Sequence, residues 1–185
     1  MDAPPPFWNA RRAFVAGCDT SFGCTLAALL VAKEAAVTAS VGPCVDPNSP
    51  FINERLFETL AVVRGDAHDR TAMTLALSVH EVEVVILAAS YPALTVHSLI
   101  SAARKAVPMA AVVVVVPSLV SRVVAVAEAF RASGGNPVGV VCIPELAPAE
   151  SAAEFLIAHA ERVIRREPAA LRGVAAFPMV RRLAA

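Results

Sequence analysis

The sequence holds little of what many kinds of chemistry require. Its 185 residues include one tyrosine, one tryptophan and two lysines, Lys33 and Lys105. Formal net charge is zero, with sixteen basic and sixteen acidic residues spread along the chain. No basic block is present, which argues against nucleic acid as a partner, because a polyphosphate surface calls for clustered cations. Arg162, Arg165 and Arg166, with Arg181 and Arg182, come nearest to one and read as a solvated helix face. Four cysteines stand at Cys18, Cys24, Cys44 and Cys142. None forms a C-x-x-C pair and no histidine completes a zinc spacing, so no metal is expected. That cysteine usage suits a reducing cytoplasm. The most apolar run, Ala110 to Val116, is bounded by Pro108 and Pro117. It falls far short of the ~20 residues needed to cross a bilayer. The opening MDAPPPFW lacks the basic-then-apolar order of a secretory leader, so a cytoplasmic protein without a membrane span is expected.

What is plentiful is apolar: 57% of residues, rich in alanine and valine, against the usual ~45–50%. Part of that excess suits buried parallel strands, and part suits surface that meets a partner subunit. The length fits one domain over 1–185, with a proline-rich lead at 1–10 and a tail at 169–185. In the lead, Phe7 and Trp8 are expected to pin the chain to the domain edge.

The chain is organised around Ala13 to Leu30, AFVAGCDTSFGCTLAALL. It reads as a short apolar strand, a glycine turn from Gly17 to Gly23, and an apolar helix. This is how a dinucleotide-binding domain begins. Further strands are expected at 36–41, 61–64, 82–88, 110–116 and 138–143. Helices are expected at 22–35, 54–60, 70–80 (with Asp69 as N-cap), 94–107, 118–132 and 148–166, the last closed by Pro168. The continuous run VVILAA implies burial on both faces. Right-handed crossovers then give a Rossmann-like doubly wound parallel α/β sheet of order 3-2-1-4-5-6.

These fragments resemble the extended short-chain dehydrogenase/reductase family, and within it nucleotide-sugar dehydratases of the CDP-glucose 4,6-dehydratase kind. Phe7-Trp8 stands ahead of the first strand as in those enzymes. Residues 16–23, AGCDTSFG, stand where they carry T-G-x-x-G-F-x-G. Val37-Thr38, Asp46-Pro47 to Phe51, Gly65-Asp66-Ala67-His68-Asp69 and Glu83 to Ala89 resemble later segments in the same order. The likeness covers about residues 7–145. It implies NAD or NADP as cofactor, with Gly17, Thr20, Gly23, Asp66, Ala67, Ala88 and Ala89 around it. Gly17 would allow the tight turn and Gly23 the close approach of the first helix. Thr20 replaces the middle glycine; its side chain intrudes where phosphate lies unless its hydroxyl donates to that phosphate. Asp66 would hold the adenine amine, or only cap a turn, and the two alanines would line the cofactor channel or only pack. Ser40 and Val41 end the second strand, where an acidic residue would grip the ribose.

The family's Y-x-x-x-K pair, which couples proton to hydride transfer, is missing. Tyr91 and Lys105 are fourteen residues apart, and Arg122 stands at the lysine position with no phenol before it. Ser118 falls near the family's catalytic Ser/Thr. The C-terminal part that closes over a sugar nucleotide is reduced to the last helix and tail. His68, His80, His97 and His159 read as exposed or capping. Ser21, Ser90 and Ser118 lie at strand–helix junctions outside any G-x-S-x-G, which argues against a triad reading. Cys18 and Cys24 flank the turn, where a helix N-terminus can lower a thiol pKa, although packing is the simpler reading.

The expectation is therefore a degenerate epimerase/dehydratase-like protein, without catalytic residues of its own, acting as a nucleotide-binding or interaction subunit. The competing one is an NAD(P)-dependent enzyme with an unconventional base. In the family, the helices equivalent to 94–107 and 119–130 pair across a two-fold axis. Val120, Val123, Val124, Ala127 and Phe130 would make such a face toward a partner, whether in a homodimer or with a related full-length protein, or the stripe faces its own sheet, as part of it must.

Overall fold

A computed structural model describes residues 5–117, 122–144, 147–172 and 174–178. Its strands are β1 (Arg12–Ala16), β2 (Ala36–Val41), β3 (Ala61–Arg64), β4 (Val84–Leu87), β5 (Ala111–Val116), β6 (Val138–Cys142) and β7 (Ala175–Ala176). The helices are α1 (Ser21–Ala32), α2 (Pro50–Asn53), α3 (Arg70–Val79), α4 (Ala93–Ala106), α5 (Arg122–Ala132), α6 (Ala149–Ile164) and α7 (Pro168–Leu171). All seven strands pair in parallel, in the order β3-β2-β1-β4-β5-β6-β7. The expected order is found, and β7 extends it at the far edge.

Side chains alternate across the pleat, so each strand feeds two cores. Ala13, Val15, Val84, Ile86, Val113 and Val141 pack with buried residues of α1 and α6. Phe14, Ala16, Val85, Leu87, Val112, Val114 and Val140 pack with those of α3, α4 and α5. Both faces of β4 and β5 are covered, which explains why VVIL and AVVVVV carry no polar alternation. Burying each large side chain contributes about 1.5–3 kcal/mol.

Local chemistry sets the helix ends. Asp69 caps α3 as expected, accepting the Thr71 and Ala72 amides at 2.9 and 3.0 Å. In the lead, Trp8 is buried and donates Nε1–H to Glu161 on α6 at 2.6 Å. Phe7 meets Trp8 edge-on, and the Arg11 and Arg165 guanidiniums lie 4.3 and 4.9 Å from its ring centre. The lead is thus pinned as the sequence suggested.

Several expectations are corrected. Pro50 starts α2 ahead of the expected 54–60, and only a 3-10 turn, Leu56–Glu58, falls inside that range. A proline at the first helical position has its φ preset and no amide to lose. Pro168 likewise opens α7; α6 has already ended at Ile164. Of the helix expected at 118–132, positions 118–121 lie outside the described residues, Ser118 and Val120 among them. Val123 and Ala127 are buried in the core on this side of the sheet, with Val124 partly buried beside them, and Phe130 is buried where α5 meets α4, its ring 5.2 Å from that of His97. His159 is not exposed but buried under β6. Among the described residues no helix is long and apolar enough to cross a membrane, and no three candidate ligands gather around a metal position.

Candidate functional site

The strand order reverses between β1 and β4. From β1 the chain winds outward through β2 to β3, and from β4 it winds the other way through β5 to β6. The crossovers leave a crevice at the carboxyl ends of the two strands, where open α/β sheets take their ligands. The glycine turn lies in that crevice.

Gly17 follows β1 with φ +89°, a left-handed conformation that favours glycine. A Cβ there would lie 2.7 Å from the Ala89 Cβ and 3.2 Å from the Tyr91 hydroxyl, so the ends of β1 and β4 meet only because position 17 is bare. The Gly17 and Cys18 amides both donate to the Ser40 carbonyl at 3.1 Å, which ties the turn to the end of β2. Gly23 sits still closer: a Cβ there would be 2.1 Å from the Gly17 carbonyl oxygen.

Thr20 has a capping role. Its hydroxyl donates to the Gly17 carbonyl at 2.8 Å and accepts the Gly23 amide at 3.0 Å. Both interactions lie within the turn, so this hydroxyl closes the N-terminus of α1. The Ser21 and Phe22 amides ahead of Gly23 find no acceptor among the described residues. Together with the helix dipole they suit an anion.

Two hollows flank this N-terminus. The first, about 310 Å³, opens over β2 and β3 and is lined by Asp19, Thr20, Ser40, Asp66, Tyr91 and Thr95, with Ala67 and Ala89 also on its wall. The second, about 300 Å³, opens over β5 and β6 and is mainly apolar, with Phe22, Val115, Ile143 and Pro144 beside the Ser21 and Ser90 hydroxyls. Its described lining contains no titratable side chain.

Of the residues expected at the site, Thr20, Asp66, Ala67 and Ala89 line the first hollow. Gly17 and Gly23 shape it from beneath. Ala88 is buried in the core and reaches neither hollow. Asp66 does cap its own turn, its Oδ1 accepting the His68 amide at 2.8 Å, and it stands at the hollow as well. Sequence reasoning missed Asp19, Tyr91 and Thr95. A ribose-binding carboxylate normally stands at the end of the second strand, and Asp19 lies outside that pattern. The structure instead sends one across from the turn, where Asp19 Oδ2 accepts the Gly42 amide at 3.2 Å.

The cysteines behave opposite to one expectation. Burial, with Cys24 and Asp19 nearby, pushes the Cys18 thiol far up. Burial, with Glu54 and Asp19, pushes Cys24 up to about 12. Desolvation outweighs the helix dipole, and both stay protonated packing groups, Cys24 donating to the Cys18 carbonyl at 2.8 Å. Tyr91 is raised as well, first by burial and then by Asp19 and Cys18. Among the described residues of the first hollow none is basic, so nothing there lowers its pKa.

A parallel sheet with this order, a glycine turn at its switch point and a hollow on each side define a Rossmann-like domain. Solved structures share that fold. BdcA (YjgI) from E. coli matches with TM-score 0.65 and 13% identity over 92% of this chain and 99% of its own; BdcA has also been solved in complex with NADPH. FabI from Alistipes finegoldii matches with TM-score 0.67 and 13% identity over 83% of this chain and 84% of its own. YwfH, an NADPH-dependent reductase involved in bacilysin biosynthesis, matches with TM-score 0.64 and 13% identity over 91% of this chain and 98% of its own. At such identities the likeness is one of fold. No protein-family model and no curated protein sequence matches the chain.

Proposed function

We propose that this chain binds an adenine dinucleotide, NAD or NADP, at the switch point, and works as a binding or interaction subunit of degenerate epimerase/dehydratase type. The observation that carries the proposal is the pair of hollows of about 310 and 300 Å³ on either side of the α1 N-terminus. An adenosine suits the first, with its carboxylates, hydroxyls and aromatic wall. The pyrophosphate suits the two amides without acceptors, and the apolar second hollow suits the remaining ring. When bound, a nicotinamide supplies hydride transfer; this chain's residues bind and orient it.

The non-catalytic part of this reading rests on the sequence, which has one tyrosine and no Y-x-x-x-K pair; the described lining of the second hollow offers hydroxyls and apolar walls. Tyr91 lies on the other side of the turn. The competing reading, an NAD(P)-dependent oxidoreductase, draws support from YwfH, described as an NADPH-dependent reductase, and from BdcA, solved with NADPH.

Calorimetric titration with NAD, NADP and CDP tests the binding reading, with thermal shift alongside. Saturable binding of at least one dinucleotide is expected, and no binding at millimolar ligand would sink the proposal. Reduction of a carbonyl substrate with NADH or NADPH would favour the oxidoreductase. A partner across α4 and α5 belongs to the same proposal. Leu94 is 74% exposed at the start of α4, and a groove of about 260 Å³ between the helices is lined by His97, Val126, Ala129, Phe130 and Ser133. A dimer mass by light scattering is the expected result; monomer alone at micromolar concentration would count against it.

A further inference from the structure

We infer that the site selects NAD over NADP and that Asp19 sets this selection, an inference that rests on the dinucleotide reading above. A carboxylate that accepts the 2′-hydroxyl of the adenosine ribose normally comes from the end of the second strand. Here β2 ends in Ser40 and Val41. The carboxylate arrives from the glycine turn instead. Asp19 reaches across to Gly42, just beyond β2, and Oδ2 accepts that amide at 3.2 Å. The bond fixes the side chain over the gap between turn and strand. Oδ1 has no partner among the described residues and remains to accept from a ligand hydroxyl.

The charge around it decides between the two cofactors. Asp66 stands at the same hollow, and none of its described lining residues is basic. A 2′-phosphate carries nearly two negative charges and only acceptor oxygens at neutral pH. It would meet two carboxylates with no cation between them, whereas free ribose hydroxyls can donate to both. A separate observation also points to a polar ligand. Ser40 and Thr95 are only 3% and 4% exposed, they line the hollow, and neither hydroxyl has a hydrogen-bond partner among the described residues. Arg64 is the nearest cation by register, paired with Val41 at the end of β3, but it is exposed and outside the lining.

The test is titration of the full chain with NAD and with NADP at one ionic strength, for the wild type, Asp19→Asn and Asp19→Ser. The wild type is expected to favour NAD by about 100-fold, the scale of a like-charge clash in a partly buried site. Asp19→Ser should narrow that ratio by about tenfold or more, chiefly through tighter NADP binding. Asp19→Asn keeps an oxygen for the Gly42 amide and removes only the charge, so it should narrow the ratio too. A merely structural role for Asp19 would weaken both ligands together and leave the ratio unchanged, which would overturn the inference. Equal affinities in the wild type, or tighter NADP binding through Arg64, would overturn it while leaving the dinucleotide reading in place. Binding of neither ligand would overturn both.

Discussion

Gly23→Ala is expected to abolish dinucleotide binding and to destabilise the fold by about 3 kcal/mol. The new methyl would lie 2.1 Å from the Gly17 carbonyl oxygen and 3.1 Å from the Cys18 Cα. Both are backbone atoms, and the Gly17 carbonyl is already held by the Thr20 amide and hydroxyl. No side chain can swing away to make room, so α1 must move off the turn by about an ångström. That movement takes the Ser21 and Phe22 amides with it and opens the bond from the Gly23 amide to Thr20. The gain in helix propensity from glycine to alanine is at most about 1 kcal/mol and does not offset the clash. Gly65→Ala is the matching control. Gly65 lines the first hollow, but its added Cβ would meet only the Met73 Cε, at 3.9 Å. It should stay within about 0.5 kcal/mol of wild type. Urea melts and calorimetry of the two variants check this. A Gly23→Ala protein with wild-type stability and binding would mean that the helix is not packed on the turn as described.

The close approach at Gly23 was legible in the sequence, because a glycine spaced after a strand and before a helix has few other uses. So were the central strands, since a continuous valine run has few places to go except a sheet covered on both sides. The two-residue β7 was not legible. Ala175-Ala176 has no periodicity to read, and only the open edge of β6 gives it a partner. The prolines misled at Pro50 and Pro168 because the same residue that ends a helix also starts one. At the site, turn and strand residues could be placed by spacing, but Asp19 could not. Its role depends on which way one side chain crosses a gap between two elements. The apolar stripe of α5 was ambiguous for a related reason: periodicity shows that a face is buried and not whether sheet or partner buries it. Val123 and Ala127 are buried in the core under the sheet, whereas Phe130 also lines the groove between α4 and α5.

His159 is expected to make the protein acid-sensitive at a pH where carboxylates are still mostly ionised. The ring lies on α6 beneath β6 and is 4% exposed, and Nε2 has no hydrogen-bond partner among the described residues. It fits only because position 139 is glycine, where a Cβ would stand 3.0 Å from Nε2 and 2.4 Å from the Val163 Cγ2. Burial first, and then the Arg162 and Arg131 guanidiniums, push its pKa down from 6.5 to about 4. In the unfolded chain the imidazole takes its proton near pH 6.5, while the folded one stays neutral until near 4. Stability from this group is therefore complete above 6.5 and is lost as pH falls through that window. At pH 5 the loss reaches about 2 kcal/mol, a sizeable part of a typical total of about 5–15. His159→Leu fills a similar space without a proton site and should lose that increment of pH dependence. Urea midpoints at pH 7.5 and pH 5 for both proteins measure it, and an equal fall in the two would sink the assignment. The effect should also reach the site, because α6 packs directly against α1. An α6 loosened by a buried charge withdraws support from the helix whose N-terminus divides the two hollows. Dinucleotide binding should then weaken between pH 6.5 and 5 in the wild type and hold in His159→Leu.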